Sequence, residues 1–152
     1  MITIFTIPKP FVGVTGIQQR NAIESWKRLE PKCEIILCGN DPTIGLEAVS
    51  LGVGSLTNVE TNEYGTPFLD FIFEQIISIA RFPILCYINS DIILLDQITK
   101  IVQRIKFHRF LAVGQRTNLD LNSPIEFSNH AWHADLKKLA AERGELAQAH
   151  WI

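Results

Sequence analysis

The sequence has no excess of basic residues: 14 lysines and arginines stand against 16 aspartates and glutamates, which leaves a net charge of −2. Proteins that bind nucleic acids usually carry a basic patch or stripe, so nucleic acid is not an expected partner. Long apolar runs are also missing, because charge or proline interrupts each one before the ~20 residues that span a bilayer, and no membrane span is expected. The amino terminus, Met1–Phe5, lacks the basic segment and cleavage site of a signal peptide.

Cysteine is scarce as well. The three cysteines, Cys33, Cys38 and Cys86, lie in or beside apolar segments, at spacings that match no zinc motif. This pattern is typical of buried free thiols in a reducing compartment rather than of a disulfide framework. We therefore expect a cytoplasmic protein.

The sequence does contain enough apolar residues for one core. Of its 152 residues, 47% are hydrophobic and 20% are charged, which is typical of a single globular domain over residues 1–152. Apolar, β-branched runs predict five strands, at 2–7, 34–38, 55–59, 84–88 and 110–114. Helical spacing of apolar residues between and after them predicts helices at 17–29, 43–51, 67–81, 98–105 and about 131–149.

The predicted strands alternate with the predicted helices. That order indicates an α/β fold with three layers, α/β/α, and a mostly parallel, Rossmann-like sheet that right-handed crossovers cover on both faces. Such a sheet binds ligands beyond the carboxyl ends of its strands. The glycine-rich phosphate loops Gly-x-Gly-x-x-Gly and Gly-x-x-x-x-Gly-Lys-Ser/Thr are absent, so phosphate binding requires another route.

The most informative segment is the run 84–95, which Asn89-Ser90-Asp91 interrupts. Its apolar start predicts a strand that is buried on both faces. A carboxylate at the end of such a strand lies at the mouth of the sheet, where Asp91 can hold a divalent cation and the cation can hold a diphosphate. The alternative is that Asp91 only caps the turn into the next segment.

Other polar residues are expected at the same edge of the sheet. Pro8-Lys9-Pro10 follows the first strand and Asp41 follows the second. Asp41, which precedes Pro42, is equally suited to cap the next helix. Arg20, on the first helix, can reach a phosphate with two hydrogen bonds or can remain a solvated helix residue. Thr66 suits the N-cap of the helix predicted at 67–81.

Several segments together resemble a known protein family. They are Phe5–Pro10 with Gln19–Trp26 after it, Ile36–Asp41, Asn62–Pro67, Tyr87–Leu94 and Val113–Arg116. Their order and spacing resemble the GT-A fold nucleotide-diphospho-sugar transferases, in particular small bacterial glycosyltransferase-like proteins. The resemblance covers about residues 1–122.

The resemblance implies a glycosyltransferase that moves a sugar from a nucleotide-diphosphate donor to a hydroxyl acceptor with the help of Mn²⁺ or Mg²⁺. In the family's Asp-x-Asp motif the last aspartate binds the metal, and Asp91 matches it. Asn89 stands where the first aspartate contacts the ribose, and Ser90 between them is expected to be a further nucleotide-binding residue. An asparagine can still bind a ribose hydroxyl but cannot help to neutralise a cation.

The remaining site residues are also implied by the resemblance. The loop Pro8, Lys9 and Pro10 matches the base-contacting segment, and Asp41 matches an acidic residue that meets the nucleoside. Arg116 and Asp120 lie in the region that approaches the acceptor. No residue is indicated as the catalytic base.

Two rival functions are compatible with the same sequence. The short chain and Asn89 favour a non-catalytic nucleotide-sugar-binding module, or a subunit that works only with a partner. A structural α/β module without any ligand is the third alternative. Because longer GT-A domains would cover one side of the cleft, we also expect self-association as a two-fold homodimer through that side.

Overall fold

The computed structural model describes residues 1–147 and contains a sheet of four parallel strands. The strands are β1 (Ile2–Thr6), β2 (Glu34–Cys38), β3 (Gly54–Leu56) and β4 (Ile84–Tyr87), in the order β3-β2-β1-β4. In this register Ile4 of β1 lies opposite Ile35 of β2 and Cys86 of β4. The prediction of an α/β fold around a parallel sheet is therefore confirmed.

Helices cover both faces of this sheet. They are α1 (Gly13–Trp26), α2 (Pro42–Leu51), α3 (Leu69–Ile79) and α4 (Gln97–Arg104). A fifth helix, α5 (Trp132–Arg143), has no buried residue and belongs to neither apolar cluster. On one face α1, α2 and α4 pack in a single apolar cluster with Ile4 and Leu37. On the other face Ile72 and Ile76 of α3 pack against Phe5 and Ile36. None of the helices in residues 1–147 is long and apolar enough to cross a membrane.

Local signals explain where α2 begins and ends. The Asp41 carboxylate accepts a hydrogen bond from the backbone N–H of Thr43 at 2.8 Å, and Pro42 occupies the first turn. Gly52 ends the helix with a φ of +67°, a left-handed conformation that glycine adopts without steric cost. The predicted bounds of 43–51 are thus close to the observed ones.

The start predicted for α3 is wrong. The helix begins at Leu69, and Phe68 rather than Thr66 occupies the position before it. The side chain of Asn62 instead accepts hydrogen bonds from the backbone N–H groups of Tyr64 and Thr66, at 3.0 and 2.9 Å. These bonds stabilise a turn, so the segment is not available to the helix.

The prediction that β4 is buried on both faces is also wrong. In the sheet that residues 1–147 form, β4 is an edge strand. Its residues Ile84, Leu85 and Cys86 are only half-buried. Tyr87 is 39% exposed. A continuous apolar run does not distinguish an edge strand from a central one, because that difference depends on which strands lie beside it.

A fifth strand at 110–114 does not form. The segment has no regular structure and is exposed, with Leu111 90% accessible to solvent. The chain beyond it instead forms a short antiparallel pair, β5 (Thr117–Asn118) with β6 (Glu145–Leu146). An apolar run of this kind becomes a strand only when another backbone pairs with it.

The predicted tail helix at 131–149 is shorter than expected. α5 begins at Trp132 and ends at Arg143, because Gly144 leaves the helical conformation with a φ of −79° and a ψ of 142°. The next two residues belong to β6. The end of the predicted helix, at 148–149, lies outside the described residues.

Candidate functional site

The strand order places a topological switch point between β1 and β4. From β1 the chain continues to β2 and β3 on one side, whereas β4 lies on the other side of β1. In open α/β sheets, ligands bind in the crevice at the carboxyl ends of the two strands where the order reverses. The loop Pro8–Pro10 follows β1 and the turn Asn89–Asp91 follows β4, so both lie at the carboxyl ends of these two strands.

One buried side chain links this loop to this turn. The carbonyl oxygen Oε1 of Gln19 accepts hydrogen bonds from the backbone N–H of Lys9 and from the hydroxyl of Ser90, both at 2.7 Å. Its Nε2 donates to the backbone carbonyl of Lys9 at 2.9 Å. Gln19 is only 1% exposed. The three bonds hold the two chain segments at a defined separation.

The resemblance did not assign a role to Gln19, although the sequence contains a signal for it. Gln19 lies three, four and seven residues before Ala22, Ile23 and Trp26, which are all fully buried on one face of α1. A polar residue on the buried face of a helix needs hydrogen-bond partners there. That reasoning identifies Gln19 as a structural anchor, but the sequence does not reveal which partners it has.

Within the turn after β4, Ser90 is buried and its neighbours Asn89 and Asp91 are exposed. The turn is closed by a backbone bond, from the N–H of Ile92 to the carbonyl of Asn89 at 3.1 Å. The side chains of Asn89 and Asp91 make no hydrogen bond or ion pair within residues 1–147. Asp91 is therefore not the side-chain cap of this turn, and its carboxylate is open to a ligand.

The residues near Asp91 suit one kind of metal site. Over residues 1–147, no group of three His, Cys, Asp or Glu side chains is placed to hold a metal ion. Mg²⁺ in nucleotide sites is commonly bound by one or two carboxylates together with phosphate oxygens and water. Asp91 alone therefore fits a cation that arrives with a diphosphate, and does not fit a resident structural ion.

Arg20 forms an ion pair with Glu47 of α2. Its Nε donates to Glu47 Oε2 at 3.0 Å, and its Nη2 donates to Glu47 Oε1 and, at 3.3 Å, to the carbonyl of Phe11. The hydrogen bond to Glu47 is the main cause that raises the pKa of the guanidinium. Arg20 thus joins α1 to α2, and a phosphate would have to compete with Glu47 for it.

Asp41 caps α2, which is one of the two roles that the sequence predicted for it. The hydrogen bonds from the hydroxyl and the backbone N–H of Thr43 lower the pKa of the Asp41 carboxyl. Beside it, the Asn40 side chain donates to the carbonyl of Val59 at 2.6 Å and accepts from its N–H at 2.7 Å. These bonds order the segment after β3 at the carboxyl edge of the sheet.

Arg116 and Asp120 are exposed and lie outside this arrangement. Arg116 donates to the Asn118 side chain at 2.8 Å, and its carbonyl accepts from the N–H of Ala147 at 2.9 Å. No hydrogen bond or ion pair in the described chain joins either residue to the turn after β4.

The segment that follows Asp120 is attached to α1. The Asn21 side chain donates to the carbonyl of Ser123 and accepts from the N–H of Ile125, both at 2.9 Å. Asn21 is two residues from Gln19 in α1. Nearby positions of α1 therefore hold both the segment that contains Ser123 and Ile125 and the turn after β4.

Comparisons with protein-family models, with curated proteins and with solved structures found no match. The likeness to GT-A transferases therefore depends on the sequence motifs alone.

Proposed function

We propose that the protein is a glycosyltransferase that binds a nucleotide-diphosphate sugar at the switch point between β1 and β4. The observation that carries the proposal is the state of Asp91. Its carboxylate is exposed and without a partner in residues 1–147, in a turn that Gln19 connects to the Lys9 loop. Ligand-binding crevices of open α/β sheets are expected at this point, and a lone carboxylate there is suited to a metal-bound diphosphate.

In this proposal each residue of the switch point has one task. Asp91 would hold Mn²⁺ or Mg²⁺, and Asn89 would donate or accept a hydrogen bond at the ribose. The Lys9 side chain is exposed on the opposite loop and provides a positive charge for the phosphates. A bound metal ion supplies charge stabilisation to the leaving diphosphate. Gln19 would hold the two loops in place on either side of the nucleotide through its bonds to Lys9 and Ser90.

Nucleotide titrations test donor binding directly. We expect UDP or GDP to bind in the presence of Mn²⁺, and neither the metal nor the nucleotide to bind strongly alone, because Asp91 provides only one ligand. Asp91→Ala should abolish the dependence on metal while the circular dichroism spectrum stays unchanged. Glu74→Ala, which removes another exposed carboxylate, on α3, is the matched control. Folded protein that shows no metal-dependent binding of any nucleoside diphosphate would refute the proposal.

A non-catalytic nucleotide-sugar-binding module is the second candidate. It is favoured by Arg116 and Asp120, which the resemblance assigns to the acceptor side but which make no hydrogen bond or ion pair with the switch point within residues 1–147. Incubation with a panel of sugar nucleotides distinguishes the two. Release of free nucleotide above the rate of Asp91→Ala supports the transferase, whereas metal-dependent binding without release supports the module.

A further inference from the structure

The charges of the chain are unevenly distributed. Residues 97–119, which we call the basic segment, comprise α4 and the exposed chain after it and contain no aspartate or glutamate. Its five cations are Lys100, Arg104, Lys106, Arg109 and Arg116. Because the whole sequence has a net charge of −2, the remainder of the chain is distinctly acidic. Such an asymmetry indicates a surface for an anionic partner.

The charge of the basic segment is not neutralised by the rest of the fold. All five cations are exposed, and none of them forms an ion pair within residues 1–147. Arg116 donates only to the neutral side chain of Asn118. A negatively charged surface would therefore meet five cations that do not have to be released from carboxylates.

Apolar side chains are exposed among these cations. On α4, Ile98 and Val102 pack against the core, whereas Ile101 is 57% exposed. Helical spacing sets Ile101 beside Lys100 and Arg104 on the outer face. The exposed apolar residues that follow the helix are Phe107, Phe110, Leu111 and Val113. Exposed apolar surface that is bordered by polar residues marks an interaction site.

We propose that the basic segment attaches the protein to a membrane surface that contains anionic lipids. Its cations bind the lipid headgroups, and its apolar side chains enter the boundary between headgroups and acyl chains. Exposed aliphatic residues such as Ile101 and Leu111 favour this partner over nucleic acid, whose bases stack on aromatic rings. With eight residues, α4 is far shorter than a membrane span, so the attachment is at the surface.

The end of α4 lies far from the candidate site. The Thr99 hydroxyl donates to the carbonyl of Glu30 at 2.7 Å, and Val102 lines a small cavity with Met1 and Pro31. Met1 and Pro31 precede β1 and β2, so they lie at the amino ends of the parallel strands. The switch point lies at the carboxyl ends. Membrane attachment therefore does not depend on nucleotide binding.

Co-sedimentation with lipid vesicles tests the attachment. We expect the protein to bind vesicles of phosphatidylcholine mixed with phosphatidylserine, and to be released by added NaCl, which screens the charges. Binding to phosphatidylcholine alone should be weak. A single-stranded RNA, measured by fluorescence anisotropy, represents the other anionic partner. Failure to bind the phosphatidylserine vesicles more tightly than phosphatidylcholine alone, or tighter binding of the RNA than of the vesicles, would overturn the proposal.

Removal of two cations tests the role of the basic segment. Lys106→Gln combined with Arg109→Gln should weaken binding to the phosphatidylserine vesicles about 25-fold, because each basic residue near an anionic surface contributes about fivefold. Lys137→Gln combined with Lys138→Gln removes the same charge from exposed positions of α5 and is the matched control. An equal loss in the two double variants would show that the basic segment is not the attachment site.

Replacement of an exposed leucine tests whether apolar side chains enter the membrane. Leu111→Ser should weaken vesicle binding several-fold, whereas Leu46→Ser should leave it unchanged. Leu111 is 90% exposed, and Leu46 is 72% exposed on α2, outside the basic segment. Because both side chains are exposed, the circular dichroism spectrum should stay the same in each variant. Equal vesicle binding by Leu111→Ser and the wild type would contradict the proposal.

Discussion

Gln19 shows how a single buried amide organises the edge of the sheet. It is 1% exposed, and it bonds both to the loop after β1 and to the turn after β4. An isosteric apolar side chain would fill the same space, yet it would leave the Ser90 hydroxyl and the Lys9 backbone without partners. A buried polar group without a partner costs more than the hydrogen bond itself contributes.

We therefore expect Gln19→Leu to lower the free energy of unfolding by about 2 kcal/mol and to weaken nucleotide binding as well. Urea unfolding and the UDP and GDP titrations with Mn²⁺ measure the two effects. Gln18→Leu is the matched control, because Gln18 has only a 3.5 Å contact with Asn122 at the surface. Equal loss of stability in the two variants would show that the Gln19 bonds are not important.

We expect the buried thiol of Cys38 to make the free energy of unfolding depend on pH in the alkaline range. Burial raises the pKa of its thiol from 9.0 to about 12. Below pH 9 both the folded and the unfolded chain hold the proton, so the contribution of the thiol to stability is complete. Above pH 9 the unfolded chain releases the proton first, which favours unfolding, and the contribution is lost as the pH rises through 12.

The stability difference between the wild type and Cys38→Ala should then shrink by up to about 1.4 kcal/mol for each pH unit in this window. Urea unfolding of both proteins between neutral pH and the onset of alkaline denaturation provides the measurement. Because the other titrating groups are shared, they cancel in the difference. A difference that stays constant with pH would show that the thiol is accessible to water in the folded protein.

At the scale of the element, α3 combines a buried and an exposed apolar residue side by side. Ile76 is fully buried in the cluster with Phe5 and Ile36, whereas its neighbour Ile77 is 67% exposed. Helical periodicity predicts that Ile72 and Ile76 share the buried face. Phe68, four residues before Ile72, and Ile79, three residues after Ile76, lie at the same spacing, yet they are 45% and 49% exposed.

Ile76→Ala should lower the free energy of unfolding by about 3 kcal/mol, because it leaves a cavity between α3 and the sheet. Ile77→Ala should change it by less than about 0.5 kcal/mol, because Ile77 is 67% exposed to solvent. Urea unfolding at one low protein concentration compares the two variants. Similar losses for both would mean that the solvent-exposed side of α3 is packed.

The strands show what local sequence can and cannot specify at this scale. β2 lies where its apolar run predicted it. It has a strand to pair with on each side, β1 and β3. The segment 110–114 has an equally suitable sequence, but in residues 1–147 it pairs with no other strand. Strand propensity is a preference for a half-buried, paired environment, and it does not create one.

At the scale of the whole molecule, packing is uneven along the chain. All residues of β1 are buried between the two helical layers, whereas residues 106–118 are exposed throughout. Segments with few buried apolar contacts and no regular hydrogen bonds open at low free energy. The stable part of the protein is therefore the parallel sheet with the helices that cover it.

Limited trypsin digestion should accordingly cut first after Lys106, Arg109 and Arg116, and later after Arg20 in α1 and after Lys27 at its carboxyl end. Mass spectrometry of the early fragments identifies the sites. Early cleavage within α1, or resistance of the whole segment 106–118 in monomeric protein, would contradict the packing described here.

The sequence by itself determined the elements of the main sheet and the edge at which polar residues gather. Those features depend on residues that are close together in the sequence. The signals are the spacing of apolar residues, the positions of proline and glycine, and helix caps such as Asp41. Tertiary structure alone decided that β4 is an edge strand and that Gln19 joins the two loops. Gln19 and Ser90 are 71 residues apart, and Asn21 and Ile125 are 104 apart. Contacts between such distant residues form only when the whole chain has folded, so local pattern cannot specify them.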